Sequence, residues 1–134
     1  MTLAEKLAAA RDGFAVGPVE ARGILRASGK DRLGYLQRMC TQDLGRLRPG
    51  ESAYGAFLTA KGHLLGEGTV LVREEDVLLD LAPAALAATR AHLEKFVIMD
   101  DVVFEDLSGT LAALPVLGPT GVAIASEREV PRAP

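Results

Sequence analysis

Asp31-Arg32-Leu33-Gly34-Tyr35-Leu36-Gln37-Arg38-Met39-Cys40-Thr41-Gln42-Asp43-Leu44 leads through Pro49-Gly50 to Tyr54-Gly55-Ala56-Phe57-Leu58-Thr59-Ala60-Lys61-Gly62. Leu33, Leu36 and Met39 or Cys40 recur at helical spacing, and Asp31 stands where a carboxylate caps the free amides of a first turn. Gly34 weakens such a helix by up to ~1 kcal/mol relative to alanine. Either a close neighbour or ligand uses the missing side chain, or the helix tolerates the loss. Thr41-Gln42-Asp43 forms the turn that follows, with Asp43 read as its anchor, and Pro49-Gly50 forms the next turn before a strand over 52–59.

Working outward, residues 21–27 read as a strand and Ser28-Gly29-Lys30-Asp31 as a strand-to-helix turn. Strands are expected over 64–73 and 76–81, joined at Glu74-Glu75 as an antiparallel hairpin, with Val77, Leu79 and Leu81 on one face. Pro83 suits a first helical turn, and Leu86, Leu93 and Phe96 or Val97 make a stripe on a helix ending near Met99. Residues 101–106 alternate as a strand, and 111–117 form a further apolar run. An alanine-rich helix over 3–11, with Leu3, Leu7 and Ala10 on one face, stops at Gly13. The order predicts an α+β domain, a mainly antiparallel sheet with helices on one face. Residues 1–126 are expected to form that single domain and 127–134 a loosely ordered tail.

Composition narrows the function classes. A chain of 134 residues has room for one core. One cysteine, no tryptophan and 4% aromatic residues exclude a disulfide scaffold and an aromatic cage. Fifteen basic against eighteen acidic side chains, with no basic run, argue against electrostatic nucleic-acid binding. No apolar run approaches the ~18 residues of a membrane span, so a cytoplasmic, reducing location without membrane contact is expected. His63 and His92 lack metal-ligand spacing, and Cys40 has no second cysteine and reads as a buried structural residue. Asp100-Asp101 and Glu74-Glu75-Asp76 read as solvated turns. Neither a Gly-x-Ser-x-Gly nor a phosphate-cradling glycine loop is present.

Taken together, Gly29-Lys30-Asp31, Leu36-Gln37, Thr41-Gln42-Asp43, Pro49-Gly50, Tyr54 and Leu58-Thr59-Ala60-Lys61-Gly62, then His63-Leu64-Leu65-Gly66-Glu67, resemble the N-terminal folate-binding domain of the family that joins the glycine-cleavage T-protein to its YgfZ-type relatives. The segment from His92 to Val102 and Leu117-Gly118-Pro119 extend the likeness over roughly residues 20–120. The resemblance implies tetrahydrofolate as the ligand, with Thr41, Asp43, Tyr54 and Glu67 as candidate binding residues. It implies a YgfZ-type role in maintaining iron–sulfur proteins. The alternatives are an aminomethyltransferase passing a one-carbon unit to tetrahydrofolate, with Glu67 as its catalytic acid, and a non-catalytic interaction domain of a split protein.

Two departures bear on mechanism. The aminomethyltransferases carry a pair of aspartates where this chain has Gly66 and Glu67, and the YgfZ-type Lys-Gly-Cys-x-x-Gly-Gln-Glu motif is absent. Full members of the family are more than twice this length. The chain alone is therefore expected to bind folate weakly and not to catalyse transfer. Open sheet edges and uncovered apolar surface are expected to make it dimerise or join a partner domain.

Overall fold

The computed structural model describes residues 2–118, so the boundary expected at 126/127 lies outside the described residues. The elements follow as α1 (Leu3–Asp12), β1 (Ala15–Val16), β2 (Gly23–Ser28), α2 (Arg32–Met39), β3 (Ser52–Leu58), β4 (Leu64–Val72), β5 (Asp76–Leu81), α3 (Leu86–Lys95), β6 (Val103–Asp106) and β7 (Val116–Leu117). A 3-10 turn over Pro83–Ala85 introduces α3. Strands β3 to β6 and β2 form one antiparallel sheet in the order β3-β4-β5-β2-β6, and β1 pairs with β7 separately.

Alternation decides which face is covered. Leu25 and Ala27 of β2, Val77, Leu79 and Leu81 of β5, Val70 and Val72 of β4, and Ala53 and Phe57 of β3 are buried together with Tyr35 and Leu36 of α2 and Leu93 of α3. The Tyr35 hydroxyl donates to the Leu93 carbonyl, tying α2 to α3 across this layer. Burial pushes the Tyr35 phenol above its ordinary pKa, reinforced by the nearby Asp100 carboxylate. The fold is thus α+β, with α2 and α3 on one sheet face. Helix α1 contributes no buried residue.

Asp31 does not cap α2: the helix has no side-chain cap. Its carboxylate instead accepts the Asp101 N–H at 2.7 Å, while the Asp31 N–H donates to the Asp101 carbonyl at 3.0 Å. The Asp101 carboxylate accepts the Lys30 N–H at 3.2 Å. Gly29 has φ +108°, and a Cβ there would lie 2.2 Å from the Asp101 carbonyl oxygen. The turn before α2 is therefore stitched to the entry of β6, and Asp101 belongs to that stitch rather than to a solvated turn. Asp100 is likewise engaged, pairing with Arg38 at 2.7 Å.

Asp43 does not anchor the turn after α2. That task falls to Gln37, whose Oε1 accepts the N–H groups of Leu44 at 2.5 Å and Gly45 at 2.8 Å. Other boundaries move for local reasons. Helix α3 stops at Lys95 because the Phe96 backbone leaves helical geometry, which exposes Ile98 and Met99 instead of burying a final turn. The apolar run over 111–117 makes only an isolated bridge, Ala113 to Glu20, and the short β7. Gly34 has open space where a Cβ would stand, so neither a close neighbour in the chain nor a packing constraint accounts for it.

The sheet edges are managed rather than open. Along β3, Cys40 bridges Phe57, the Thr41 N–H donates to the Ala56 carbonyl at 3.0 Å, and the Ala56 N–H donates to the Thr41 hydroxyl at 3.0 Å. Cys40 is half-buried rather than fully so, and its Sγ would lie 2.5 Å from a Cβ at Gly55. At the other edge, β6 is four residues long and carries Glu105 and Asp106, while Arg90 donates to the Phe104 carbonyl at 3.2 Å. A short, charged edge resists strand addition.

Candidate functional site

The period of two in β4 separates residues 66 and 67, the two positions that the resemblance pairs with acids. Gly66 faces the helices: a Cβ there would stand 2.4 Å from the Thr89 hydroxyl and 3.4 Å from the Ala85 Cβ. Glu67 faces the opposite side of the sheet and is exposed there, although Ile24 and Leu78 farther across the same side are buried. A side chain at 66 could not reach the surface on which Glu67 stands.

That surface is built by β3 and β4. Ala56 is directly opposite Glu67 and Tyr54 opposite Thr69, so Tyr54 and Glu67 are diagonal neighbours on one face. Tyr54 is 53% exposed, leaving much of its ring open to a flat partner. The Glu67 carboxylate makes no hydrogen bond or ion pair among the described residues. Thr41 sits at the β3 margin, where its hydroxyl oxygen is held by the Ala56 N–H, so its first duty is closing the edge. Gln42, missed in the sequence, reinforces this margin by donating from its side-chain amide to the Tyr54 carbonyl at 3.2 Å. Asp43 is exposed two residues further on, in the turn that Gln37 holds. The structure thus brings Tyr54 and Glu67 together, puts Thr41 at their border and leaves Asp43 beyond it.

The rest of the same sheet face is electrostatically closed. Arg22 pairs with Asp80 at 2.7 Å, and Arg26 with Asp76 at 2.7 Å and Glu105 at 3.3 Å. Arg73 adds a second contact to Asp76 at 2.6 Å. The Arg73 and Arg26 guanidinium groups hold the Asp76 carboxyl below its ordinary pKa against the opposing effect of burial. Charges over β5, β2 and β6 therefore satisfy one another, and among the described residues Glu67 is left as an unpaired acceptor over β4.

A shallow cleft of about 220 Å³ lies on the helix side, between Arg38 and Met39 of α2, Leu58, Thr59 and Ala60 after β3, and His92 and Phe96 of α3. His92 stacks edge-on to Phe96, with ring centroids 5.0 Å apart. None of the four candidate residues lines it. Its volume falls below the roughly 300–1,000 Å³ of typical small-molecule sites. No motif could have revealed it, because its walls come from three separated segments.

A five-stranded antiparallel sheet with helices on one face, and with the exposed Glu67 carboxylate beside the half-exposed Tyr54 ring on the other, defines an α+β domain. A model of the family described as GCVT N-terminal domain matches residues 2–129, and the chain belongs to that family. It is similar to the aminomethyltransferase of Exiguobacterium sibiricum, with 26% identity over 127 residues, spanning 94% of this chain and 35% of that one. Similarity to the Shouchella clausii aminomethyltransferase is 28% over 116 residues, spanning 87% and 32%. In fold it is similar to the glycine cleavage system aminomethyltransferase T of Bartonella henselae, with TM-score 0.75, 18% identity, and coverage of 96% of this chain and 35% of that one. The chain thus spans about a third of the length of the relatives it matches.

Among the described residues no helix is long and apolar enough to cross a membrane.

Proposed function

We propose that this domain binds tetrahydrofolate on the bare β3–β4 face and serves aminomethyl transfer, the passage of a one-carbon unit to the folate. The observation that carries the reading is the unpaired, exposed Glu67 carboxylate diagonal to the open Tyr54 ring. A pteridine ring is flat and presents N–H donors along one edge. Tyr54 offers it a stacking face and Glu67 a charged acceptor for those donors. The names of the matched relatives support the one-carbon reading over the iron–sulfur maintenance role expected from the YgfZ likeness.

In the reaction, Glu67 would meet the folate nitrogens at which protons must be lost or held as the new carbon bond forms. Gly66 takes no part, since its position faces α3. A flat face covers only one side of a ligand, so affinity for the chain alone is expected in roughly the high-micromolar range.

Calorimetric titration with tetrahydrofolate under reducing conditions tests this. Glu67→Gln and Tyr54→Ala should each weaken binding about tenfold, as loss of a charged hydrogen bond or an aromatic contact predicts. Thermal unfolding should stay unchanged because both side chains are exposed. Binding that is indifferent to both substitutions would refute the assignment.

A further inference from the structure

The sheet face that carries Tyr54 and Glu67 also holds a cation with unused donors. Tyr54 is opposite Thr69, Thr69 is opposite Asp80, and Asp80 is opposite Ile24, so these residues make one row across β3, β4, β5 and β2. The Arg22 guanidinium is fixed toward the far end of that row, where its Nε donates to the Asp80 carboxylate at 2.7 Å. Its two terminal nitrogens have no acceptor among the described residues, and the side chain is partly open to solvent. The other arginines of this face are more fully engaged. Arg26 donates through Nε to Asp76 and through Nη1 to Glu105, and Arg73 uses Nε and Nη2 on Asp76.

An arginine held through Nε presents its two outer N–H groups as a planar fork, the geometry that matches a carboxylate. Asp80 offsets part of the charge, so a second anion is held there by directed hydrogen bonds rather than by a net positive field. Distance decides which anion the fork can meet. Strands stand about 4.8 Å apart, which puts Tyr54 roughly 10 Å from Asp80 and about 14 Å from the β2 line beyond it. In tetrahydrofolate a methylene-amine link, a benzoyl ring and an amide separate the pteridine from the first glutamyl carboxylate, a span of roughly 11 Å at ordinary bond lengths. The two lengths agree within one strand spacing. Between the two ends the row presents Thr69, whose small side chain leaves the path across β4 low.

We infer that Arg22 is a specificity residue: its terminal nitrogens take the glutamyl carboxylate of the folate while Tyr54 and Glu67 hold the pteridine. The inference rests on the folate reading given above and adds a second anchor to it. With the ring at β3–β4 and the tail crossing β5, the chain distinguishes a folate from a pterin that has the same ring and no acidic tail. Arg22 touches the end of the ligand remote from the one-carbon unit, so it sets which ligand is held and takes no part in proton movement.

The test is an NMR titration of the isotope-labelled full chain, under reducing conditions, with two ligands. One is tetrahydrofolate; the other is a tetrahydropterin that carries a methyl group in place of the tail. The parent should bind tetrahydrofolate at least about tenfold more tightly, the worth of a charge-assisted pair, and only that ligand should shift the Arg22 and Asp80 amides. Arg22→Gln should erase the preference, weakening tetrahydrofolate about tenfold while the pterin stays within about twofold. Glu67→Gln should instead weaken both ligands alike, since both carry the ring. Equal weakening of the two ligands by Arg22→Gln would give Arg22 a purely structural duty through Asp80 and overturn the inference. A parent with no preference for the tailed ligand would overturn it too, while leaving the Tyr54 and Glu67 assignment standing. Failure of the folate reading itself looks different: neither ligand shifts the β3 and β4 amides, and the role of Arg22 falls with it.

Discussion

Gly66 and Thr89 supply the sharpest test of how β4 is held under Glu67. Thr89 is fully buried, and its hydroxyl has no hydrogen-bond partner among the described residues. It packs against the missing side chain of Gly66, where an added Cβ would stand 2.4 Å away. A β-branched residue in a helix has little χ1 freedom, so Gly66→Ala must push α3 and β4 apart. Overpacking of this kind costs about 1–3 kcal/mol, and the gain from replacing a strand glycine returns about 0.5–1 kcal/mol. A net loss of roughly 1–2 kcal/mol follows. Thr89→Ala removes one buried methyl group, worth about 1 kcal/mol. It also removes an unsatisfied hydroxyl, whose burial costs about 1–3 kcal/mol, and improves helix propensity. That variant should be neutral or more stable than the parent. Combined, the alanine at 66 occupies the space the hydroxyl leaves, and the double variant should recover at least about 1 kcal/mol relative to the sum of the singles. Urea unfolding followed by circular dichroism measures all four proteins. Folate titration adds a functional reading, since Gly66→Ala should displace Glu67 and weaken binding while the double variant restores it. Additivity within 0.5 kcal/mol, or an unperturbed Gly66→Ala protein, would refute the contact as the reason for glycine at this position.

Three further outcomes follow from single contacts. Asp31→Ala should cost about 1 kcal/mol by removing the acceptor for the Asp101 N–H, whereas Asp31→Asn, which keeps an oxygen acceptor, should retain most of that stability; equal losses in urea unfolding would point to charge rather than to the bond. Gly34→Ala should raise stability by roughly 0.5–1 kcal/mol, since a helical Cβ there meets nothing, and a fall in the unfolding midpoint would show a neighbour that the geometry lacks. Asp76→Asn should cost about 2–4 kcal/mol near neutral pH, breaking a pair whose carboxylate is buried but whose arginines remain partly in water. Because the folded-state pKa of Asp76 is lowered, its contribution is present above its ordinary value and disappears as pH falls through the lowered one. The gap between parent and variant should therefore begin to narrow below about pH 4 and go on narrowing as the pH falls further, and a gap that stays constant over that range would assign the loss to packing instead.

Local pattern made β3, β4, β5 and α2 readable, because each carries its own periodicity and turn residues within a few positions. The order β3-β4-β5-β2-β6 was not readable. Placing β2 between β5 and β6 depends on Leu25 meeting Leu79 on one side and Asp106 on the other, contacts spanning more than fifty residues of chain. The same distance hid the role of Asp31, whose partner is seventy residues away; nearby amides made a helix cap look sufficient. Gln37 was passed over in favour of Asp43 for a related reason. A carboxylate inside a turn is a familiar anchor, but the Gln37 amide in the last turn of α2 takes the Leu44 and Gly45 N–H groups instead. Strands β1 and β7 are too short to carry any alternation.

Of the candidate site, the strand period alone separates residue 66 from residue 67, and this constrains the chemistry more than the motif did. Two adjacent acids on a strand point to opposite faces, so only one can meet a ligand on the bare sheet while the other must be accommodated under the helices. In this chain the inward position is glycine, and the buried Thr89 closes over it. An acid at 66 would therefore add nothing to the surface that carries Tyr54 and Glu67. What distinguishes Glu67 is its added methylene, which carries the carboxylate farther from the sheet than an aspartate would. A ligand engaged there would ride higher above β4, leaving room beside the small side chain of Ala56, its direct cross-strand neighbour. Filling that room with Ala56→Val, while shortening the acid with Glu67→Asp, should weaken folate binding by more than the two changes do separately.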